Sequence, residues 1–406
     1  MVYAIFIYTL SALFLFFDMM MQVSPGIMTD ELMYSLDINI FWLGLMSGAY
    51  FVTYTIMQIP SGIFYDNYKV KEVIIFPLII CTLGGFLFSI TPNVYIGALA
   101  RLIMGFGAAF AFVGALVVAS EVFEEKYFSL MAGITQTFVA IGAIMGEAPL
   151  VPLLENFGWR MTIVIMSTGG VLIVFAILFF MKLPQKNKSK VRLFDIKKGL
   201  KKISKSSQSW IIAAYACLLW APMTAVASLY GPDFFKAYFN YSIEIAAMLT
   251  TAMWVGVAVG APLFGFLATK IFNNKFWLIT AALIGALSFS IILYIPITSL
   301  IILTIAVFFA GVGCGGQALS FVLVKDNNED ENSATAMGFN NTAVVVSGFI
   351  FQPLVGYVIK YNSGMYGNVN EVLQYSASSY LAGMNVILGC YIIAAFISIF
   401  LIKDKS

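Results

Sequence analysis

Histidine is absent from this chain of 406 residues, and charge of either sign is scarce. Charged side chains make up 10% of the sequence, against roughly 25% in a soluble domain. So few charges cannot build a water-soluble surface, so lipid must be the solvent for most of the chain. Without histidine, the usual metal ligand and the usual neutral-pH proton carrier are both missing. Any proton coupling must then use carboxylates. The four cysteines, Cys81, Cys217, Cys314 and Cys390, all fall inside apolar runs. They read as buried small side chains rather than a disulfide or metal framework. There is no Walker loop, no metal-ligand spacing and no Ser/His pairing, so no ATP-driven step, enzyme activity, metal or cofactor is expected. A net charge of +2, with no basic patch interleaved with aromatics, gives no reason to expect nucleic acid. The N-terminus lacks a positive leader and a small-residue cleavage site, and reads as a first membrane helix.

What is abundant is apolar length: 61% of the residues are hydrophobic. A transmembrane helix needs about 20 mostly apolar residues. The pattern predicts an all-α membrane protein with spans near 3–25, 40–63, 73–92, 94–119, 128–153, 160–181, 209–231, 242–267, 276–298, 299–323, 335–359 and 379–402. Lysine and arginine then set the orientation. With the N-terminus in the cytoplasm, the inner segments hold eighteen of the 22 basic residues, ten of them between Lys182 and Lys205. Only Arg160, Lys236 and Lys360 fall outside, and Arg101 lies within a span. Both termini are therefore expected in the cytoplasm of a multi-pass protein. The long basic connection, 182–208, divides the chain into six-helix bundles over 1–181 and 209–406, and is expected to rest on anionic lipid.

The two bundles repeat each other. Gly62–Asp66 leaves the second span as Gly265–Lys270 leaves the eighth. Gly105-Phe-Gly107 matches Gly311-Val-Gly313, and Gly133–Gln136 matches Gly338–Asn341. These matches fall in order at offsets of 203 to 206, as a duplicated unit requires. Parallel repeats of this kind place a substrate site between the halves, near mid-membrane.

The loop GIFYDNYKVK, Gly62–Lys71, resembles the major-facilitator signature between the second and third helices, with Gly62 and Asp66 in place and Asn67 and Lys69 departing from it. Arg101 with Gly105 and Gly107 resembles the fourth-helix signature, and Gly158-Trp159-Arg160 the turn before the sixth helix. The fifth-helix signature of drug antiporters is poorly kept in Gly146-Glu147-Ala148-Pro149, which counts against drug efflux. A finer set is Gln22–Gly26, the stripe Tyr50, Tyr54 and Gln58, Gly146–Pro149, Trp220-Ala-Pro222, Gly315-Gly-Gln317 and Asn340-Asn341. It is similar to the phagosomal nutrient transporters of intracellular bacteria, a group that includes amino-acid importers and some nucleoside carriers. The resemblance spans essentially the whole chain. It implies twelve helices in two pseudo-symmetric bundles, a bacterial inner-membrane location, a monomer, and a cytoplasmic gate of Gly62, Asp66, Lys69 and Lys71. In the family, an aspartate at the Asp66 position pairs with the other half when that gate is shut. The physical basis is a carboxylate meeting helix N-termini and basic groups.

Asp18, Arg101 and Glu147 are the charges deep within predicted spans. Each costs about 2.5–3.5 kcal/mol or more at mid-bilayer if unpaired, so a function is the default reading. Counting from the predicted span ends, all three lie roughly 10 Å below the outer surface. In the family the first and fourth helices line the cavity, so Arg101 is expected to pair with Asp18, Glu147 or both. Two carboxylates competing for one guanidinium cannot both stay ionised cheaply, and one is expected to carry the coupling proton. Alternatively, Arg101 binds a substrate carboxylate directly, or the three form a static ion pair. Neutral polar groups form a second set: Gln22, Tyr50, Tyr54, Gln136, Gln317, Asn340, Asn341 and Gln352, with Tyr215, Trp220 and Tyr230 as possible walls. They suit a small zwitterion, although interhelical hydrogen-bonding is an equally ordinary use. Pro149, Pro222, Pro262 and Pro353 mark expected bends. The leading expectation is a secondary carrier importing a small polar metabolite, an amino acid before others, with protons. The alternatives are a siderophore carrier, a channel or a membrane scaffold.

Overall fold

In hydrocarbon, every backbone N–H and C=O must be satisfied internally, which leaves a long apolar run little choice but helix. A computed structural model describes residues 2–124, 127–183, 200–270, 274–328, 333–363 and 375–403. Among them there is no strand. The helices are α1 Val2–Ile27, α2 Ile40–Asn67, α3 Val70–Ser89, α4 Val94–Val122, α5 Phe128–Met145 and α6 Val151–Phe180. They continue as α7 Ser207–Phe239, α8 Ile243–Lys270, α9 Asn274–Tyr294, α10 Leu300–Asp326, α11 Ser333–Asn362 and α12 Ala377–Leu401. A short helix, Thr29–Leu36, lies between α1 and α2. Most of the linker, 184–199, is outside the described residues, as is Lys126.

Eleven described helices are long and apolar enough to cross a membrane. The remaining helix, α5, runs 18 residues from Phe128 to Met145, with Ile134–Met145 as its described apolar stretch. The expected fifth span ran to residue 153, but Gly146 and Pro149 end it early. A 3-10 turn over Ala148–Leu150 follows, and α6 begins at Val151 rather than near Arg160. The expected turn at Gly158 survives as a kink inside α6, where Gly158 takes φ +71°, a conformation open to glycine. Glu31 accepts the Trp159 N–H at 2.8 Å there. A carboxylate thus sits at the start of the resumed helix, where it opposes the helix dipole. Pro222 leads into a π-helical stretch, Met223–Tyr230, in mid-α7. Pro262 and Pro353 lie inside continuous α8 and α11.

The repeat seen in sequence is a repeat in packing. A Cβ on Gly105 would stand 1.9 Å from the Tyr50 carbonyl oxygen, and one on Gly311 would stand 2.0 Å from the Met253 carbonyl oxygen. So α4 crosses α2, and α10 crosses α8, at equivalent points where only a glycine lets the backbones meet.

Helix ends α1, α6, α7 and α12 gather at one end of the bundle. Tyr3 donates to the Lys182 carbonyl at 3.1 Å, Gln208 Nε2 to the Leu401 carbonyl at 3.1 Å, and the Lys403 N–H to Gln208 Oε1 at 2.9 Å. This is the termini end. The first and second sets of six helices meet along α2–α11 and α5–α8.

Candidate functional site

Several polar groups meet across the seam between the two sets. At the end away from the termini, Lys236 Nζ lies 2.5 Å from Asp30 Oδ2 and 3.6 Å from the buried Asp233. Tyr230 donates to the Gln352 carbonyl at 2.8 Å and approaches the Ile40 carbonyl at 3.3 Å. The Ile40 N–H donates to Tyr375 Oη at 3.2 Å. Further along, Asn341 Nδ2 donates to Gln58 Oε1 at 2.7 Å. Towards the termini end, the last stretch of α4, Ala111–Val122, packs against α1, α2, α3 and α5. The last stretch of α10, Leu319–Asp326, packs against α7, α8, α9 and α11. Each packs chiefly within its own set of helices.

The three deep charges do not form the expected cluster. Asp18 accepts a hydrogen bond from Tyr50 and keeps Oδ2 without a partner. Arg101 spends its guanidinium on backbone: Nη1 donates to the Met21 carbonyl at 3.0 Å and Nη2 to the Gln22 carbonyl at 3.2 Å. Its Cζ stands 4.7 Å from the centre of the Tyr50 ring. Such a cation over a ring face is stabilised by the ring quadrupole, the more so when desolvated. Asp18 and Arg101 therefore meet around Tyr50, but no ion pair joins Arg101 to Asp18 or Glu147 among the described residues. The reason is local: α1 leaves its α-helical path after Val23, entering a 3-10 turn at Ser24–Ile27. Its last carbonyls need donors, and Arg101 supplies them.

Glu147 lies elsewhere. It sits in the break after α5, not within it, and its carboxylate is held entirely by α8. Thr250 donates to Oε2 at 2.6 Å, Thr251 to Oε2 at 3.3 Å, and Trp254 Nε1 to Oε1 at 3.0 Å.

The neutral candidates divide. Tyr54 stacks on Tyr50 with ring centres 5.8 Å apart. Gln22 offers its carbonyl, not its side chain, to Arg101. Trp220 packs edge-on to Trp254, 6.4 Å between centres. Gln317 and Asn340 both donate to Ser320 Oγ, at 3.4 and 2.7 Å, and Asn340 Oδ1 has no partner. Gln352 donates to the Thr224 carbonyl at 2.8 Å while its Oε1 has none. Gln136 is exposed on α5 and joins none of these groups. Tyr215 does not wall the seam: it is fully buried and donates to the Leu278 carbonyl on α9 at 2.8 Å, within its own bundle. At the expected gate, Asp66 is exposed, Lys69 lies 3.5 Å from Glu72, and Lys71 Nζ donates to the Leu178 carbonyl at 2.8 Å. Both lysines thus stay within the first bundle.

Sequence reasoning passed over Asp30, Asp233, Thr250, Thr251 and Trp254. Asp30 and Lys236 carried a usable signal, as opposite charges in segments predicted on the same side. The α8 donors carried none, because threonine and tryptophan are ordinary in a membrane helix.

Twelve helices in repeated sets of six, meeting along a polar seam, define a membrane transporter of major-facilitator architecture. The model of the Major Facilitator Superfamily matches residues 8–352, and the chain belongs to that family. It is 22% identical over 378 residues to the probable sulfoacetate transporter SauU of Cupriavidus necator, covering 86% of this chain and 84% of that one. It is 21% identical over 367 residues to the gentisate transporter of Corynebacterium glutamicum, covering 87% and 81%. Among solved structures, a bacterial homologue of the human lysosomal transporter Spinster, inward-facing and unoccupied, superposes with a TM-score of 0.81 at 16% identity, over 98% of this chain and 96% of that one. The nucleoside transporter NupG does so with a TM-score of 0.77 at 15% identity, over 98% and 100%.

Proposed function

We propose that this chain is a proton-coupled secondary carrier that imports a small polar metabolite, an amino acid before others, by alternating access across a bacterial inner membrane. The observation that carries the reading is the one-sided seam. Asp30–Lys236 and the Tyr230 and Tyr375 bonds to Ile40 tie the halves at the end away from the termini, and along α2–α11 the tie reaches as far as Gln58–Asn341. At the termini end, a Cβ added to Gly62 or Gly265 would touch nothing within 4 Å. The basic-residue bias assigns the termini end to the cytoplasm, which makes this an inward-open arrangement. Residues 1–181 and 209–406 are then the two bodies that rock about the seam, joined by 182–208. Gly62, Asp66, Lys69 and Lys71 form the gate that closes in the opposite state.

Within this reading Asp18 is the proton carrier. It is fully buried, one oxygen is held by Tyr50, and the other is unpartnered. Arg101 is the fixed cation beside it, since its Nη1 and Nη2 are bonded to α1 carbonyls, while Nε has no partner among the described residues. The substrate meets neutral groups: Tyr54, Trp220, Gln317, Asn340 and the Gln58–Asn341 pair. The curated relatives are named for sulfoacetate and gentisate, both carboxylates, so a substrate panel must carry these beside amino acids and nucleosides. Purified protein in proteoliposomes should take up one of them with saturation and counterflow, and lose accumulation when the proton gradient is collapsed. Flux that neither saturates nor shows counterflow would mean a channel, and no flux with any of the panel would point to a scaffold.

A further inference from the structure

Glu147 is a carboxylate of one bundle lodged in the other. It is 1% exposed, and each oxygen is bound by neutral donors from α8: Thr250 and Thr251 on one, Trp254 on the other. Among the described residues no cation takes part. Residues 250, 251 and 254 fall within about one helical turn and so share a face. Trp220 closes one side of this face with its ring edge against Trp254. Two of the three donors depend on the visitor to different degrees. The Thr250 hydroxyl has the Ala247 carbonyl within reach at 2.9 Å. The Trp254 N–H has no acceptor besides Glu147 among the described residues.

Alternating access requires this end to part. Glu147 then leaves with the first bundle, and α8 presents two hydroxyls and a bare indole N–H to the outer vestibule. A buried donor stripped of its acceptor is a strong pull on any matching group. The matching group is one with two oxygens spaced as in a carboxylate. We propose that Thr250, Thr251 and Trp254 form a carboxylate-binding site, filled by Glu147 when this end is sealed and by the carboxylate of an incoming substrate when it is open. The inference rests on the carrier reading above and adds the substrate's chemical class. It also gives Glu147 a task. As the end closes, Glu147 returns to the cradle and displaces the substrate's carboxylate towards the interior, so closure and release from the first contact are one event. Arg101, whose Nη1 and Nη2 are bonded to α1 carbonyls, takes no part in this cradle.

The test is chemical rescue of the purified full chain, with acetate as the probe and acetamide at equal ionic strength as its neutral control. Glu147→Ala empties the cradle. Its unfolding temperature should fall, and acetate but not acetamide should restore it. Adding Trp254→Phe should weaken the acetate effect roughly tenfold, the scale of one charge-assisted hydrogen bond. In otherwise wild-type protein the two substitutions should act in opposite directions on carboxylate affinity. Glu147→Ala removes the resident competitor and tightens binding, while Trp254→Phe removes a donor and weakens it. A simple gate latch would move both the same way, and that result overturns the proposal. So does equal rescue by acetate and acetamide. Should Glu147→Ala fail to fold, Glu147→Ser, which also empties the cradle but keeps a small polar side chain, must show the same acetate preference. Saturable flux without rescue would refute this site and leave the carrier reading standing. Rescue without flux would do the reverse.

Discussion

At the end holding Asp30 and Ile40, the two bundles touch backbone to backbone, while at the end holding the termini Gly62 and Gly265 face open space. A Cβ on Gly44 would stand 2.2 Å from Tyr230 Oη and 2.6 Å from the Gln352 carbonyl oxygen. One on Gly62, further along the same helix, would meet nothing within 4 Å. The same residue type on one helix therefore does opposite things, and the difference teaches where the molecule is shut. Small residues along α2 and α11 permit a tight seam. Hydrogen bonds from the seam's buried polar groups hold it, and charges at its rim add little.

The comparison breaks most sharply at Gly44. Gly44→Leu should wedge α2 off α11 at a cost of about 1–3 kcal/mol, the scale of overpacking. Reagent access to a cysteine placed beside Tyr230 should rise from the outside, and uptake should fall by at least about tenfold. Unchanged access would show that the seam is not the outer closure.

Arg101→Met comes next. It strips the Met21 and Gln22 carbonyls of their donors, at about 1–3 kcal/mol for each unsatisfied group. Thermal unfolding in detergent should register the loss. Arg101→Lys, with a single nitrogen in place of the fork, should recover only part of it. Full recovery by lysine would mean that charge alone matters there.

Asp18→Asn separates structure from coupling. Tyr50 can still donate to the amide oxygen, so unfolding should move little. The acceleration of uptake by external acid should disappear. A variant that accumulates substrate with unchanged pH dependence removes Asp18 from the coupling path.

Lys236→Met tests the rim. The Asp30 partner is half exposed, so that pair contributes about 0–1 kcal/mol after solvent screening. Asp233 is buried and depends on the same lysine. Lys236→Met should therefore destabilise more than Asp30→Asn, and a double-mutant cycle of Asp30 with Lys236 should return a small coupling energy. The smallest effect belongs to Gly62→Leu, within about 0.5 kcal/mol of wild type by unfolding because its surroundings are open. Slower uptake at unchanged stability would show that the termini end must close on it.

The sequence carried the helices well because each is decided locally, by apolar length. It misjudged α5 and α6 because hydropathy does not register a chain break: Gly146 and Pro149 are apolar enough to extend a span and unfit to continue a helix. It brought Asp18, Arg101 and Glu147 to one depth, and depth follows from rise per residue. Direction around the helix axis does not, and it was direction that separated them. Arg101 turns to α1 and Tyr50, and Glu147 turns away to α8. Tyr215 failed as a wall for the same reason, since its face of α7 looks into its own bundle.

By itself, then, the sequence determined the solvent of this protein, the number of its apolar segments and their duplication. Scarce charge, long hydrophobic runs and offsets of 203 to 206 residues survive any arrangement of the helices. Only the tertiary structure decided which polar atoms meet across the seam. Those meetings depend on helix rotation, on the break after Met145 and on the crossings at Gly105 and Gly311. A rotation of one residue on a helix swings a side chain by about 100°, enough to exchange a partner in the other bundle for one in its own.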